Sequence, residues 1–236
     1  MLQIKNLTKK YGSKTAVKKL NLTVKSGDIY GFIGHNGAGK TTTIKAIMGI
    51  TPFDEGEILI NNQSIQTHPM ECKKIMAYIP DNPDLYDHLT GIQYLNFISD
   101  IYQVSSDERY QRIDLYANQF EIKQNLGDLI SSYSHGMKQK LAIISALIHE
   151  PKLLILDEPF VGLDPKASLI LKNIMHDLCL KGTAIFFSTH VLEVAEKLCN
   201  KVAIIKGGEL IACGNMEEIK GDSSLENVFM ELTNHE

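Results

Sequence analysis

The stretch Gly34-His35-Asn36-Gly37-Ala38-Gly39-Lys40-Thr41 fits the pattern GxxxxGK[ST], and it joins the apolar run IYGFI (Ile29 to Ile33) to the helix-like stretch TTTIKAIMGI. Few folds can hold such a loop. Its glycines let the backbone curl so that successive N–H groups, continuing to Thr42, point inward at the positive end of a helix dipole and form an anion cradle. Lys40 can then neutralise charge on the β- and γ-phosphates of a nucleotide, and the Thr41 hydroxyl can ligate Mg²⁺. By chance the pattern arises in roughly one chain in a hundred of this size. The strand before it and the helix after it make an accidental glycine turn rarer still.

Two other short, unbroken apolar runs, LLIL (Leu153 to Leu156) and AIFF (Ala184 to Phe187), have the character of strands buried on both faces of a parallel sheet. The first of them ends in Asp157-Glu158-Pro159, which places Asp157 at the carboxyl end of a central strand, where open α/β sheets bind ligands. Asp157 is expected to hold Mg²⁺ through its water shell, and Glu158 to accept a proton from an attacking water as general base. Taken alone, two carboxylates after a strand are as readily a loop cap. About 120 residues after a phosphate cradle, the chemical reading dominates.

Around these runs the chain divides by periodicity. Leu20, Leu22 and Val24 alternate as one face of a strand, EILINNQSI predicts a hairpin turning at Asn61-Asn62, and KVAII-KGG-ELIACG predicts another turning at Gly207-Gly208. From Leu85 to Leu129 no strand pattern is visible, and Leu95, Ile98, Ile101 and Tyr102 repeat at helical spacing. Met137, Leu141, Ile144 and Leu147 or Ile148 continue that spacing, with Ser134 as N-cap and Pro151 just beyond the end. The expected organisation is one folding unit: an α/β core of about 1–84 and 150–236, interrupted by a helical insertion of about 85–149. The fold class expected is a mostly parallel sheet with flanking helices, carrying an N-terminal antiparallel β subdomain.

Composition excludes several alternatives. With 44 % hydrophobic and 22 % charged residues in 236, the chain is neither disordered nor fibrous. Its longest apolar run, Leu141 to Ile148 with Ser145 inside, is far short of the roughly 20 residues of a membrane span. MLQIKNLTKKYG lacks a signal-peptide core, so a cytoplasmic location is expected. Cys72, Cys179, Cys199 and Cys213 show no CxxC spacing and are expected to be reduced, partly buried apolar residues. A net charge of −4 argues against a nucleic-acid partner, although residues 1–25 carry seven lysines and no acid, and 215–236 carry six acids against Lys220.

From Leu2 to about Met230 the sequence resembles the nucleotide-binding subunit of an ATP-binding-cassette transporter, with its P-loop nucleotide-hydrolase core. The resemblance implies ATP and Mg²⁺ as ligands. Tyr11, in KKYGSKTAV, falls where the family stacks an aromatic ring on adenine. Tyr133-Ser134-His135-Gly136-Met137-Lys138-Gln139 matches the family signature, usually LSGGQ, in which Ser134 and Gly136 would contact the γ-phosphate held by a second subunit. A small hydroxyl and an open glycine backbone at a helix start suit that task. Gly162-Leu163-Asp164-Pro165 resembles the loop that couples the two sites across the dimer through Asp164. Ser188-Thr189-His190 resembles the switch histidine, 32 residues after Glu158, so His190 is expected beside the γ-phosphate and the catalytic water. Two positions depart from the family. Asp81 replaces the usual Gln after MAYIP, which keeps a possible metal ligand but adds negative charge and removes a donor. His135 replaces the first signature Gly and is expected to face solvent or the subunit interface.

The implied partners are a second ATPase subunit, in a homodimer, and separate transmembrane permease chains that hold the protein at the inner face of the membrane. PDNPDLYDHLTG, YSHGMKQK and SLENVFMEL resemble most the ATPases of bacterial exporters for drugs, lantibiotics or bacteriocins. An importer ATPase and a nucleotide-gated module not tied to transport are the alternatives. One cassette without heptads or a basic face opposes a ribosome- or chromosome-remodelling factor.

Overall fold

A computed structural model describes residues 1–234. The chain opens with the antiparallel pair β1 (Leu2–Tyr11) and β2 (Lys14–Val24). In β2, Val17, Leu20, Leu22 and Val24 are buried while Lys18 and Lys19 are exposed, the alternation of a sheet with one wet face. Next come β3 (Ile29–Ile33), buried at every residue, the glycine loop, and α1 (Lys40–Ile47). β4 (Glu55–Ile60) returns beside β1 and turns into β5 (Gln63–Ser64) through Asn61 and Asn62, whose φ values of 49° and 65° are those of the expected two-residue hairpin. After α2 (Pro69–Lys74) and β6 (Met76–Ile79), the strands stop for some 70 residues.

That stretch holds α3 (Gly91–Ile101), α4 (Ser106–Gln119), two single 3₁₀ turns and α5 (His135–Leu147). Thr90 and Gln93 form a reciprocal capping box at the start of α3, and Ser134 caps α5 by accepting from the Met137 N–H at 3.3 Å. The apolar spacing of α3 points inward only in part. Leu95 is fully buried and Tyr102 stacks on His149 at 3.6 Å, but Ile101 is 57 % exposed, because neighbours cover only one side of a helix on the surface.

The remainder is α/β: β7 (Leu153–Asp157), α6 (Pro165–Leu180), β8 (Ala184–Thr189), α7 (Leu192–Leu198), β9 (Lys201–Lys206), β10 (Glu209–Asn215), α8 (Met216–Lys220) and α9 (Leu225–Asn234). A six-stranded sheet runs β10-β9-β3-β8-β7-β6, parallel except for the edge strand β10, and a four-stranded antiparallel sheet runs β2-β1-β4-β5. The central strands are apolar throughout because each face has its own cover. Tyr30, Phe32, Ile155 and Phe186 pack toward the antiparallel sheet and α1, whereas Ile33, Leu156, Phe187 and Ile204 pack toward α5 and α6. Register then sets the site: Ile33 lies level with Thr189 and Asp157 with Ser188, so the loops leaving β3, β7 and β8 emerge side by side.

The cysteines are free, with Cys72 and Cys199 buried and Cys179 partly so. Cys213 is exposed, contrary to the sequence expectation, because it lies on the edge strand β10. Among the described residues no helix is long and apolar enough to cross a membrane.

Candidate functional site

The glycine loop wraps the end of β3 so tightly that side chains are excluded behind it. A Cβ on Gly34 would stand 2.5 Å from the Ile205 carbonyl oxygen, and one on Gly39, at φ 109°, 2.5 Å from that of Ala16. Ala38, at the back, is buried and its carbonyl accepts the Gly208 N–H. Gly39 caps α1 and offers no side chain to the helix, which leaves the first amides of α1 facing the cleft.

In front of the loop lies a cavity of about 310 Å³ lined by Tyr11, His35, Asn36, Gly37, Gly39, Lys40, Thr41, Thr42, Asp81, Asp157 and Glu158. Lys40 is buried and its Nζ donates to the Gly34 carbonyl at 2.7 Å, standing 3.5 Å from Glu158 Oε1. Asp157 Oδ2 accepts from Thr41 Oγ1 at 2.8 Å, and its Oδ1 accepts from the Ser188 hydroxyl. Glu158 holds a left-handed backbone, φ 49°, uncommon for a residue with a Cβ, and its N–H is shared between the Ser188 carbonyl and hydroxyl, both at 3.2 Å. Its Oε1 lies 3.0 Å from His190 Nδ1, yet it is buried with no hydrogen bond of good geometry, an acceptor left over for something further.

Burial, reinforced by the charges of Asp157 and Glu158, pushes the Asp81 carboxyl above the usual carboxylate range, while His135 and His190 pull it back. The donors around Thr41 and Asp157 are all oxygens, which suits a hard divalent cation such as Mg²⁺. Among the described residues no three His, Cys, Asp or Glu side chains form a metal cluster, so a cation here needs further oxygens from its ligand.

Ser134, Gly136 and Asp164 do not line this cavity. They form a second corner: the Gly162 carbonyl oxygen stands 3.0 Å from where a Gly136 Cβ would be, and the His135 ring packs on Gly162. Asp164 caps α6 by accepting the Ala167 N–H at 2.8 Å and pairs with Lys140 at 2.9 Å; these bonds hold its carboxyl below the usual range. His135 is exposed, as expected, but it spans the signature and the Asp164 loop within one chain.

Sequence reasoning missed four residues. Lys14 and Ala16 line the cavity; the lysine run at the N-terminus carried the signal for the first. Ser188 binds Asp157, a role visible only once β7 and β8 are paired. Tyr78 lies near Asp157 and Asp81, and burial raises its phenol far above the usual range.

Residues 17–161 match the family model described as ABC transporter. The chain is 34 % identical over 238 residues to the ABC-type transporter ATP-binding protein EcsA of Bacillus subtilis (strain 168), covering 99 % of this chain and 96 % of that protein. It is 35 % identical to the linearmycin resistance ATP-binding protein LnrL of the same organism, over 93 % of this chain and 70 % of that protein. Among solved structures, an ATP binding subunit of an ABC transporter superposes with a TM-score of 0.95 at 35 % identity, over 99 % of both chains. The dimeric cassette MJ0796, in a post-hydrolysis state bound to ADP and Pi, superposes with a TM-score of 0.80 at 25 % identity, over 92 % of this chain and 99 % of that one. By cleft, fold and relatives together, the chain belongs to the ABC transporter family, as an ATP-binding and ATP-hydrolysing subunit.

Proposed function

We propose that two copies of this chain enclose two ATP molecules and so power export through separate membrane chains. The observation that carries the reading is the division of the site. Lys40, Thr41, Asp157 and Glu158 line one cleft, with His190 against Glu158, while Ser134, Gly136 and Asp164 sit at a second corner outside it. A second copy would bring its Ser134 and Gly136 onto the phosphates held by the Gly34 to Thr42 loop. Tyr11, 50 % exposed at the mouth of the cavity, would stack on the adenine.

The chain's own residues then divide the labour. The loop amides and Lys40 bind the β- and γ-phosphates, and Thr41 with Asp157 would hold Mg²⁺, with Asp81 as a further carboxylate near it. Bound there, Mg²⁺ supplies charge neutralisation on the phosphate oxygens. The Glu158 carboxylate accepts a proton from the water that attacks the γ-phosphorus, and His190, 3.0 Å from its Oε1, orients it. ATP and water become ADP and phosphate. The γ-phosphate bridge between copies is lost, and the dimer opens.

The segment from Asp81 to Tyr102, between the core and the helical insertion at about 85–149, is the proposed dock for the membrane chain at its inner face. Tyr86, Phe97 and Ile101 are exposed there, and Tyr86 packs edge-on to Phe97 at 5.8 Å, a patch of interface character. The resistance relative favours export of a drug or peptide. The test is association: in gel filtration, Glu158→Gln with ATP and Mg²⁺ is expected to run at twice the mass of the nucleotide-free chain, and a monomer in every nucleotide state would sink the sandwich. A neighbouring reading frame with about six apolar 20-residue segments would support export. A neighbouring periplasmic or lipoprotein binding protein would turn the reading to import.

A further inference from the structure

The last helix ends against the phosphate loop. α9 packs on α7 and α8 with Leu225 and Phe229 buried. Its start is held by the Leu225 N–H donating to Glu196 Oε2 at 3.0 Å, and its end by Lys206 Nζ donating to the Thr233 carbonyl at 2.8 Å. A cation on the last carbonyls of a helix is the favourable arrangement. Lys206 follows Ile205, whose carbonyl backs Gly34, so α9 is fastened to the strand against which the glycine loop is pressed. From that position Phe229 meets the ring of His35, the residue after Gly34, edge to face at 4.9 Å between centroids and 65° between planes. Phe229 itself does not line the cavity.

We propose that Phe229 is a positioning residue for ATP binding: its ring braces His35 and holds the loop amides toward the phosphates, so that α9 sets nucleotide affinity without touching nucleotide. The inference rests on the reading that the Gly34 to Thr42 loop binds the phosphates of ATP. Its physical ground is entropic. A loop containing Gly34, Gly37 and Gly39 has many open conformations when unsupported, and ordering them on binding weakens affinity. An aromatic contact on the loop's outer side removes part of that disorder before ATP arrives.

Calorimetric titration of the full chain with the β,γ-imido analogue of ATP and Mg²⁺ tests this. Phe229→Leu, which keeps an apolar side chain in place, is expected to bind about three- to tenfold more weakly. Phe229→Tyr, which keeps the ring, and Met230→Ala, on the exposed side of α9, are expected within about twofold of the wild type. His35→Ala should lose a similar factor, and the double variant with Phe229→Leu should lose no more than the larger single loss. Wild-type affinity in Phe229→Leu, an equal loss in Met230→Ala, or additive losses in the double variant would each overturn the brace. If Phe229→Leu does not fold, Phe229→Met, which keeps more of the side-chain volume, takes its place in the titration and in the double variant. Failure of the wild type to bind the analogue would instead overturn the nucleotide reading of the loop.

Discussion

The cleft before the glycine loop and the corner at Ser134–Gly136 are both built on the start of a helix, yet they differ in what one chain supplies. At α1 the amides face a cavity that also holds a buried ammonium, three carboxylates and the hydroxyls of Thr41 and Thr42. At α5 the Ser134 hydroxyl is already used as the helix cap, and the surroundings are Gly162, Asp164 and the exposed His135 ring. In the proposed sandwich the first is a binding site in a single copy, and the second is half of one. Charge explains part of the difference. Lys40 stands 3.5 Å from Glu158 in the cleft, whereas Lys140 is already paired with Asp164 at the corner, leaving the helix start and its backbone for an incoming anion.

The largest expected effect separates chemistry from binding within the cleft. Glu158→Gln should lower steady-state phosphate release by about 10²- to 10⁴-fold while ATP affinity stays near the wild type. Lys40→Ala should act on binding, weakening ATP by roughly 10- to 100-fold in calorimetry, because it removes a charged donor from the phosphates and leaves Glu158 facing them unpaired.

A smaller and opposite pattern is expected at the corner. Ser134→Ala removes the cap of α5 at a cost of about 1 kcal/mol, a fall of about 2–4 °C in melting temperature for a chain of this length, and it should lower turnover. ATP affinity at protein concentrations too low for dimers should be unchanged. A loss there matching that of Lys40→Ala would erase the distinction between a whole site and half of one.

Asp81→Gln should give the smallest effect. The folded protein raises the Asp81 carboxyl above its ordinary 3.8, so between those values it binds more protons than the unfolded chain, and stability falls as pH rises through the window. The Gln variant should therefore melt slightly higher than the wild type at neutral pH, with the gap closing as pH drops toward the ordinary carboxylate range. A gap that widens in acid would show that burial and the neighbouring carboxylates do not raise the Asp81 carboxyl.

Much of this was readable along the chain because its causes are local. IYGFI, LLIL and AIFF are strands because no polar face is needed when both sides are covered, and Asn61-Asn62 turns because both residues tolerate positive φ. The surface helices were read less well: Leu95 and Ile101 share one apolar spacing, but only neighbours distant in sequence determine that Leu95 is covered and Ile101 is not. Ser188 carried no signal either, since its role depends on which strand lies beside β7.

The sequence by itself determined the glycine loop, the carboxylates that follow a buried strand, and the family whose order of motifs they share, because backbone geometry and hydrophobic period act over a few residues. Only the tertiary structure decided which of those residues meet. The order β3-β8-β7 brings Thr41, Asp157, Glu158 and His190 to one edge, and packing sets Phe229 on His35 and His135 on Gly162. Contacts between residues dozens to nearly two hundred positions apart depend on sheet order and side-chain fit, which no local pattern contains.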